Sequence, residues 1–212
     1  MDNKFSVIGS GGHSRSVIAL LKDQGFEVDG IYDDSYKEEE NEVINSVKLV
    51  GKIQDYIGSY KVVLAVGDNM IRKELFNNFS KQIYSGNIFH SRCFLESSSI
   101  IGASNLIFGN VLINANAEIG DNNIINTGAI LEHEVQIGSH NHISVGSIIC
   151  GRVKIGNGCF IGAGAVINDQ ISICDGVTVG SNSVVINSIE EPGIYVGNPV
   201  QKIHNKPKTI NE

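Results

Sequence analysis

The residues best suited to chemistry form a short polar cluster, Glu132-His133-Glu134, followed nine residues later by His142. An imidazole titrates near neutrality and suits general-base work, and a neighbouring carboxylate raises its basicity. Aliphatic residues recur every six positions here, and three repeats make a coil, so Gly151 should lie directly above His133, roughly 4.8 Å away. Its N–H could bind a developing oxyanion. Together these groups suit attack by an amine or hydroxyl on a thioester.

The element that must position these residues is a six-residue repeat from Leu95 to Val185. A branched aliphatic stands at all sixteen positions of this register, which neither helical nor strand periodicity explains. The repeat predicts a triangular parallel β-helix of about five coils, with the aliphatic residues pointing inward. Small or permissive residues are expected at the corners, among them the glycines that follow the aliphatic: Gly102, Gly120, Gly138, Gly156, Gly162 and Gly180.

On such a prism His133 and His142 lie half a coil apart, on different sides. One molecule cannot easily bring both to a single site, but two prisms packed side by side can. The spacing therefore predicts a site at the subunit boundary of a cyclic trimer. The alternative is that both histidines are exposed residues without a role. That plainer interpretation is favoured for His90, Glu132, His140 and His204.

The first part of the chain reads as a small α/β sheet. Phe5–Gly9 and Val28–Tyr32 are predicted strands, separated by a glycine-rich loop and a helix that buries Val17, Ile18, Leu20 and Leu21. Lys61–Gly67 is a predicted third parallel strand. The remaining predictions are a solvated loop at 36–46, a helix from about Met70 with Ile71, Leu75 and Phe76 inward, and a short strand at 82–87.

Three loops of this sheet, Gly11–His13, Asp33–Asp34 and Gly67–Asn69, follow the C-terminal ends of predicted strands, where ligands dock in such folds. The glycines let a ligand approach the backbone, and the helix N-terminus favours an anion. Ser14 occupies the last position of the G-x-G-x-x-G pattern, so the motif is incomplete. The features predict nucleotide binding; the alternative is a glycine-rich turn followed by a solvated acidic loop.

Composition excludes several classes of protein. With 212 residues and a net charge of −7, sequence-independent binding to nucleic acid is not expected. No apolar run is long enough to span a membrane, and no signal peptide is evident, so a cytoplasmic location is expected. The four cysteines lack C-x-x-C spacing and are expected to be structural rather than metal ligands. Arg152 and Lys154 are the only cationic residues between Cys93 and Gln201.

Several motifs spread over nearly the whole chain carry a family resemblance: Gly9-Ser10-Gly11-Gly12-His13, Asp33-Asp34, Ala65-Val66-Gly67-Asp68-Asn69, Glu132-His133-Glu134, His142-Ile143-Ser144-Val145-Gly146 and Val196-Gly197-Asn198-Pro199. Through them the chain resembles bacterial hexapeptide-repeat sugar acyltransferases. It is most similar to N-acetyltransferases of nucleotide-linked 4-amino-4,6-dideoxy sugars (PglD type) and less so to sialic acid O-acetyltransferases (NeuD type). The resemblance implies a Rossmann-like nucleotide-sugar-binding domain (1–87), a left-handed parallel β-helix (88–194) and a C-terminal tail (195–212).

The resemblance also implies roles for individual residues. His133 would deprotonate the sugar amine, and Glu134 would tune it. Acetyl-CoA would be contacted by His142, Gly151, Ala163 and Ser181, the last standing where relatives have glycine. The nucleotide-sugar would be held by Gly11, Gly12, His13, Asp33, Asp34 and Gly67.

The leading hypothesis is therefore an acetyl-CoA-dependent N-acetyltransferase, homotrimeric and without a metal, acting on a UDP- or dTDP-linked 4-amino sugar for surface polysaccharide or glycan assembly. The alternative is an O-acetyltransferase for sialic acid or a related sugar. A zinc hydratase is disfavoured because the spacing of His133, His140 and His142 does not supply tetrahedral ligands on one face. A non-catalytic scaffold with a nucleotide-sensing head is the remaining alternative.

Overall fold

The computed structural model describes residues 3–203. Its N-terminal part is a five-stranded sheet in the order β3-β4-β2-β1-β5, parallel except for β3, with two α-helices. The elements are β1 (Lys4–Ile8), α1 (Gly12–Asp23), β2 (Glu27–Tyr32), β3 (Val43–Ile44), β4 (Val47–Gly51), a 3-10 helix (Ile53–Asp55), β5 (Lys61–Leu64) and α2 (Asn69–Asn78). The small α/β sheet expected from the sequence is present.

The hairpin β3–β4 corrects one prediction, because β3 lies within the segment 36–46 that was expected to be a solvated loop. Asn45 and Ser46 connect the two strands, both with positive φ (49° and 66°). Positive φ at both central residues is typical of tight hairpin turns, which usually carry glycine there. The buried side chain of Ile44 faces the core of the sheet.

The two helices agree with the sequence except at one face of α2. Helix α1 buries all four predicted aliphatics. At α2, Asp68 is the N-cap, and its Oδ1 accepts hydrogen bonds from the N–H groups of Met70 and Ile71. Leu75 is buried, but Ile71 is 53% exposed, so its inward prediction is wrong. Arg72 takes the inward position instead.

The segment 82–87 was also predicted incorrectly as a strand. Ile83 makes a single parallel bridge to Val62, and the next strand begins at Ile88. The side chain of Asn87 turns into the coil that follows, and its Oδ1 accepts a hydrogen bond from the N–H of Asn105. The segment therefore connects the sheet to the coil.

Seventeen short strands, β6 to β22, form the parallel β-helix. Their bounds are β6 (Ile88–Phe89), β7 (Phe94–Leu95), β8 (Ile100–Ile101), β9 (Leu106–Ile107), β10 (Leu112–Ile113), β11 (Glu118–Ile119), β12 (Ile124–Ile125), β13 (Ile130–Leu131), β14 (Gln136–Ile137), β15 (His142–Ile143), β16 (Ile148–Ile149), β17 (Lys154–Ile155), β18 (Phe160–Ile161), β19 (Val166–Ile167), β20 (Ser172–Ile173), β21 (Val177–Val179) and β22 (Val184–Val185). Each strand from β6 to β19 pairs with the strand eighteen residues further on, as Ile113 does with Leu131. Fourteen of the sixteen predicted inward aliphatics are buried; Leu95 and Ile101, in the open first coil, are not.

The β-helix has three sides. The domain-facing side contains β6, β9, β12, β15, β18 and β21, and Ile88, Leu106 and Ile124 pack there against the N-terminal sheet. The apolar side contains β7, β10, β13, β16, β19 and β22. The polar side contains β8, β11, β14, β17 and β20.

Two further strands extend the end of the β-helix. Strand β23 (Gly193–Gly197) pairs in parallel with β21 and extends the domain-facing side, and β24 (Val200–Ile203) returns antiparallel to it. His204, Lys206 and Lys208 lie outside the described residues.

The corners of the coil do not fall at the glycines that follow the aliphatic residues. The corner residues, which have positive φ, recur every six residues from Ser104 to Asn182, two positions after the residue that follows each aliphatic. They are asparagines, other polar residues or a second set of glycines. The glycines after the aliphatics serve close stacking instead. A Cβ on Gly138 would lie 2.7 Å from the carbonyl oxygen of Gly156 on the next coil.

A ladder of asparagines, buried from Asn105 onward, joins the first coils. The Oδ1 atoms of Asn87, Asn105, Asn123 and Asn141 accept hydrogen bonds from the backbone N–H one coil further on, at 2.6–2.9 Å. The last acceptor in this series bonds to Cys159, where the ladder ends. Burial raises the pKa of the Cys159 thiol to about 11. This residue is therefore a protonated, small core side chain.

The two kinds of glycine predict different responses to substitution. Gly138→Ala should lower the free energy of unfolding by about 1–3 kcal/mol, because the new methyl group overpacks the next coil. Gly176→Asn should cost less than about 1 kcal/mol, because Asn tolerates positive φ and the only neighbour of a Cβ there is Pro192, at 3.9 Å. Urea-induced unfolding measures both; equal losses would contradict the stacking argument.

Candidate active site

A buried arginine joins the N-terminal sheet to the coil. Arg72 is 1% exposed and donates only to oxygens of uncharged groups. Within the sheet domain it bonds to the carbonyls of Val66 and Gly67 and to Oδ1 of Asn69. On the coil it bonds to the carbonyls of Asn122, His140 and Asn141. Burial lowers the pKa of its guanidinium to about 10, so Arg72 remains a cation at neutral pH.

Asn69 extends this contact to a third coil. Its Nδ2 donates to the carbonyls of Gly158 and Cys159, at 3.3 and 2.8 Å. Asn122, His140 and Gly158 occupy the same corner on three successive coils, all with positive φ. We call Asn69 and Arg72 the domain clamp. It fixes the loop after β5 relative to the coil.

The predicted nucleotide-sugar residues converge on one cleft of about 490 Å³. Its lining includes every one of them: Gly11, Gly12, His13, Asp33, Asp34 and Gly67. The N-terminus of α1 opens into it, with no acidic residue in the first helical turn. Exposed backbone N–H groups at a helix N-terminus suit a phosphate.

The two aspartates of this cleft are already hydrogen-bonded within the protein. Asp33 accepts from the N–H groups of Ser10 and Ser35, at 2.7 and 2.8 Å. Burial acts to raise the pKa of Asp33, but these bonds outweigh it and hold the pKa below its ordinary value. Asp34 accepts from the N–H of Ile53. Asp33 therefore shapes the glycine-rich loop, and the more exposed Asp34 keeps acceptor capacity for a ligand.

His142 lies where the cleft meets the coil. Its side chain is buried, with Nδ1 3.3 Å from the carbonyl oxygen of Gly67 and Nε2 3.2 Å from Nδ2 of Asn126. These partners fit a neutral ring that donates through Nδ1 and accepts through Nε2. The ring of His13 is 5.9 Å away, and its Nε2 is buried without a partner among residues 3–203. Burial lowers the pKa of both imidazoles to about 4.

His133 and Glu134 lie at a different corner, between the apolar and polar sides. Nδ1 of His133 is 3.1 Å from Oε2 of Glu134, and the His133 side chain is 45% exposed. A carboxylate on Nδ1 leaves Nε2 as the free, basic nitrogen. Gly151 stacks directly on this ring: a Cβ there would lie 2.7 Å from Nε2. The predicted stacking of Gly151 on His133 is confirmed.

The N–H of Gly151 has no hydrogen-bond acceptor within residues 3–203. In several other repeats, the N–H two residues after the inward aliphatic donates to the side chain of the residue just before it. Ala115 donates to Asn114, Thr127 to Asn126 and His133 to Glu132. Cys150, Gly162 and Gly180 precede Gly151, Ala163 and Ser181. In the described part of the chain, the N–H groups of these last three residues have no hydrogen-bond acceptor.

The predicted acetyl-CoA residues fall on two opposite edges of the apolar side. Residues 115, 133, 151 and 169 stack along one, which we call the His133 edge. Residues 127, 145, 163 and 181 stack along the other, which we call the Ala163 edge. Gly151 therefore belongs with the base, while Ala163 and Ser181 lie on the far edge, next to the Asn126–His142 pair.

Sequence reasoning missed three polar residues of this region: Arg72, Asn126 and Asp169. The spacing of Arg72 three residues before Leu75 on one helix face was the only signal for it. Asn126 lies in the same coil as His133, and nothing in its spacing points to His142. Asp169 stands eighteen residues beyond Gly151, so the repeat register alone could have identified it.

Residues 3–203 contain no group of three or more His, Cys, Asp or Glu side chains arranged to hold a metal ion. His133, His140 and His142 have separate partners: Glu134, Asn122 and Gly67. None of the described helices is long and apolar enough to cross a membrane.

Comparisons with known families match both parts of the chain. Residues 4–79 match the PglD N-terminal domain, and residues 134–169 and 152–187 match the bacterial transferase hexapeptide, six repeats. No curated protein sequence matches.

Solved structures are similar over nearly the full chain. The acetyltransferase domain of PglB from Neisseria gonorrhoeae is 26% identical, with a TM-score of 0.88 over 95% of this chain and 100% of that one. Its complex with acetyl coenzyme A gives a TM-score of 0.87 at 26% identity, over 96% and 100%. A variant of perosamine N-acetyltransferase from Caulobacter crescentus, in complex with CoA and GDP-perosamine, is 26% identical, with a TM-score of 0.86 over 95% and 97%.

The buried histidines predict how stability depends on pH. Their folded-state pKa values lie below the ordinary 6.5, so the unfolded chain binds more protons between pH 6.5 and about 4. Their contribution is complete above pH 6.5 and is lost as the pH falls towards 4. For His142 the loss at pH 4 is on the order of 3 kcal/mol.

His142→Gln should therefore flatten the decline of unfolding free energy between pH 6.5 and 4. Urea titrations of wild type and variant at both pH values measure the difference. Phe160→Leu is the control, because it removes a ring packed on His142 without removing a titrating group. Parallel declines in wild type and His142→Gln would contradict the assignment.

Proposed function

Because the chain joins a PglD N-terminal domain to transferase hexapeptide repeats, as in the PglD-like sugar acetyltransferases, we propose that it acetylates the 4-amino group of a nucleotide-linked 4-amino-4,6-dideoxy sugar. Acetyl-CoA is the donor. The nucleotide is UDP or dTDP, and the GDP-perosamine bound by the Caulobacter relative adds GDP to the set to be tested. The product would serve surface polysaccharide or glycan assembly.

The observation that carries this proposal is the column formed by Glu134, His133 and Gly151. Nε2 of His133 takes a proton from the acceptor amine as its nitrogen attacks the thioester carbonyl. The free N–H of Gly151 donates to the oxyanion of the tetrahedral intermediate. As the carbonyl re-forms, the C–S bond breaks, and the CoA thiolate receives the proton held by His133. Glu134 stabilises the imidazolium between these steps.

The N-terminal cleft supplies the acceptor site. Its volume suits a nucleotide, the N-terminus of α1 suits the diphosphate, and Asp34 suits a ribose or base donor. Gly67 belongs both to the cleft and to the contact with His142, so a sugar extending from the diphosphate would reach the coil there.

The apolar side supports a homotrimer. Its outward residues are all apolar: Phe94, Leu112, Ile130, Ile148, Val166 and Val184. The corresponding residues of the polar side include Glu118, Gln136 and Lys154. A continuous apolar column of this kind is typical of a protein interface. Packing three such faces around an axis would bring the His133 edge of one copy to the Ala163 edge of the next, which completes the site.

Removal of the base tests the assignment directly. His133→Ala should lower the rate of thiol release from acetyl-CoA by roughly 10²–10⁴-fold, the usual contribution of general-base catalysis. The acceptors are a panel of UDP-, dTDP- and GDP-linked 4-amino-4,6-dideoxyhexoses, with sialic acid as the hydroxyl acceptor. Size-exclusion chromatography with light scattering checks that the oligomer is unchanged.

Two outcomes would contradict the proposal. Undiminished thiol release in His133→Ala would remove the histidine from the mechanism. Wild-type turnover with sialic acid but with no amino sugar would assign the chain to O-acetylation.

Mixed oligomers test whether the site is shared. His133→Ala disables one edge, and Ala163→Trp should block the other, because Ala163 is exposed and a Trp there fills the groove. Each variant alone should be inactive. When both are co-expressed, about a quarter of the sites pair two intact edges and should recover about a quarter of wild-type activity. No recovery in verified mixed trimers would mean that the site lies within one chain.

A further inference from the structure

Asp169 lies one coil beyond Gly151 on the His133 edge. The position that a Cβ of Gly151 would occupy is 2.7 Å from Nε2 of His133 and 3.0 Å from Oδ1 of Asp169. The two atoms thus face each other across this glycine. Their separation is short enough for one nitrogen to bond to both at ordinary distances of about 2.9 Å.

The carboxylate of Asp169 is held but not buried. Nη2 of Arg152 lies 3.3 Å from Oδ2, and Nε2 of Gln170 donates to the same oxygen at 2.7 Å. Oδ2 therefore has the shorter hydrogen bonds. Oδ1 faces His133 and has only a 3.5 Å contact with Arg152. The ionisable groups that face Asp169 are His133, Arg152 and the Cys150 thiol, whose pKa is raised chiefly by burial.

An amine acceptor differs from a hydroxyl acceptor in charge. An aliphatic amine is mostly protonated at pH 7, whereas a hydroxyl is neutral. An ammonium group that approaches Nε2 of His133 also meets Oδ1 of Asp169. A charge-assisted hydrogen bond to a carboxylate is about twice as strong as a neutral one.

We propose that Asp169 binds the ammonium form of the acceptor beside the base and so selects amino sugars over hydroxyl acceptors. Arg152 holds the carboxylate in position. One proton leaves the ammonium for bulk water before attack, and His133 takes the second as the C–N bond forms. The inference rests on the proposed function, because it presupposes an amine acceptor at His133.

The variant Asp169→Asn tests this role of the carboxylate. The acceptor is the nucleotide-linked amino sugar that gives the highest kcat/KM with the wild-type enzyme. At pH 7 the KM for this amino sugar should rise about tenfold, with kcat within twofold, because recruitment of the cation is lost and the base is intact. The ratio of variant to wild-type KM should approach one as the pH rises above the amine's pKa.

Two controls separate this role from a structural one. Arg152→Gln removes the ion pair that positions the carboxylate but keeps its negative charge, so the KM should rise by less than in Asp169→Asn. Glu118→Gln removes one negative charge from the exposed polar side and should change neither constant. Equal KM increases in Asp169→Asn and Arg152→Gln, or an unchanged KM in Asp169→Asn, would overturn the inference. Failure of the proposed function would be distinct, because wild type itself would then not acetylate the amino sugar.

Discussion

The whole arrangement depends on the stacking of coils with a period of eighteen residues. Backbone hydrogen bonds between successive coils hold each residue above the one eighteen positions earlier. The backbone N–H of Arg152, for example, donates to the carbonyl of His133, and that of Gln170 donates to the carbonyl of Gly151. Strand spacing then fixes the distance between such residues at about 4.8 Å. A catalytic column can therefore be built without any loop. Its geometry comes from the same hydrogen bonds that stabilise the fold.

The N-terminal sheet lacks this regularity, and the domain clamp connects it to the coil. A cation is an expensive choice for a buried contact, because its desolvation must be offset by hydrogen bonds. Arg72 meets that demand with carbonyl oxygens on both domains and the side-chain oxygen of Asn69. The carbonyls of Asn122 and His140 lie at coil corners with positive φ, where no backbone N–H of the described chain donates to them. The clamp thus uses a by-product of the turn geometry to fix the nucleotide cleft beside His142.

The sequence was sufficient wherever the repeat register applied. It predicted the buried aliphatics and the stacking of Gly151 on His133, because both follow from a period of six. Predictions from the sequence were wrong where the structure depends on local contacts or turn conformation and not on the six-residue period. Gly138 looked like a corner residue but is needed for close stacking, and the hairpin turn at Asn45 and Ser46 lacks the glycine that usually signals it. Contacts between the domains, such as that of Arg72 with His140, join residues far apart in sequence, and no pattern in either segment encodes them.

The repeat also explains where ligand-binding capacity arises. In a regular coil, the backbone groups of the strands form hydrogen bonds with neighbouring coils. At the turns, side chains such as those of Asn114 and Asn126 accept a hydrogen bond from the next backbone N–H. Replacing the capping residue with Cys150 or Gly162 leaves the next N–H without an acceptor in the described chain. These positions therefore favour a ligand that brings a carbonyl oxygen, as a thioester or a pantetheine amide does. The departures from the repeat, rather than the repeat itself, are therefore where chemistry is expected.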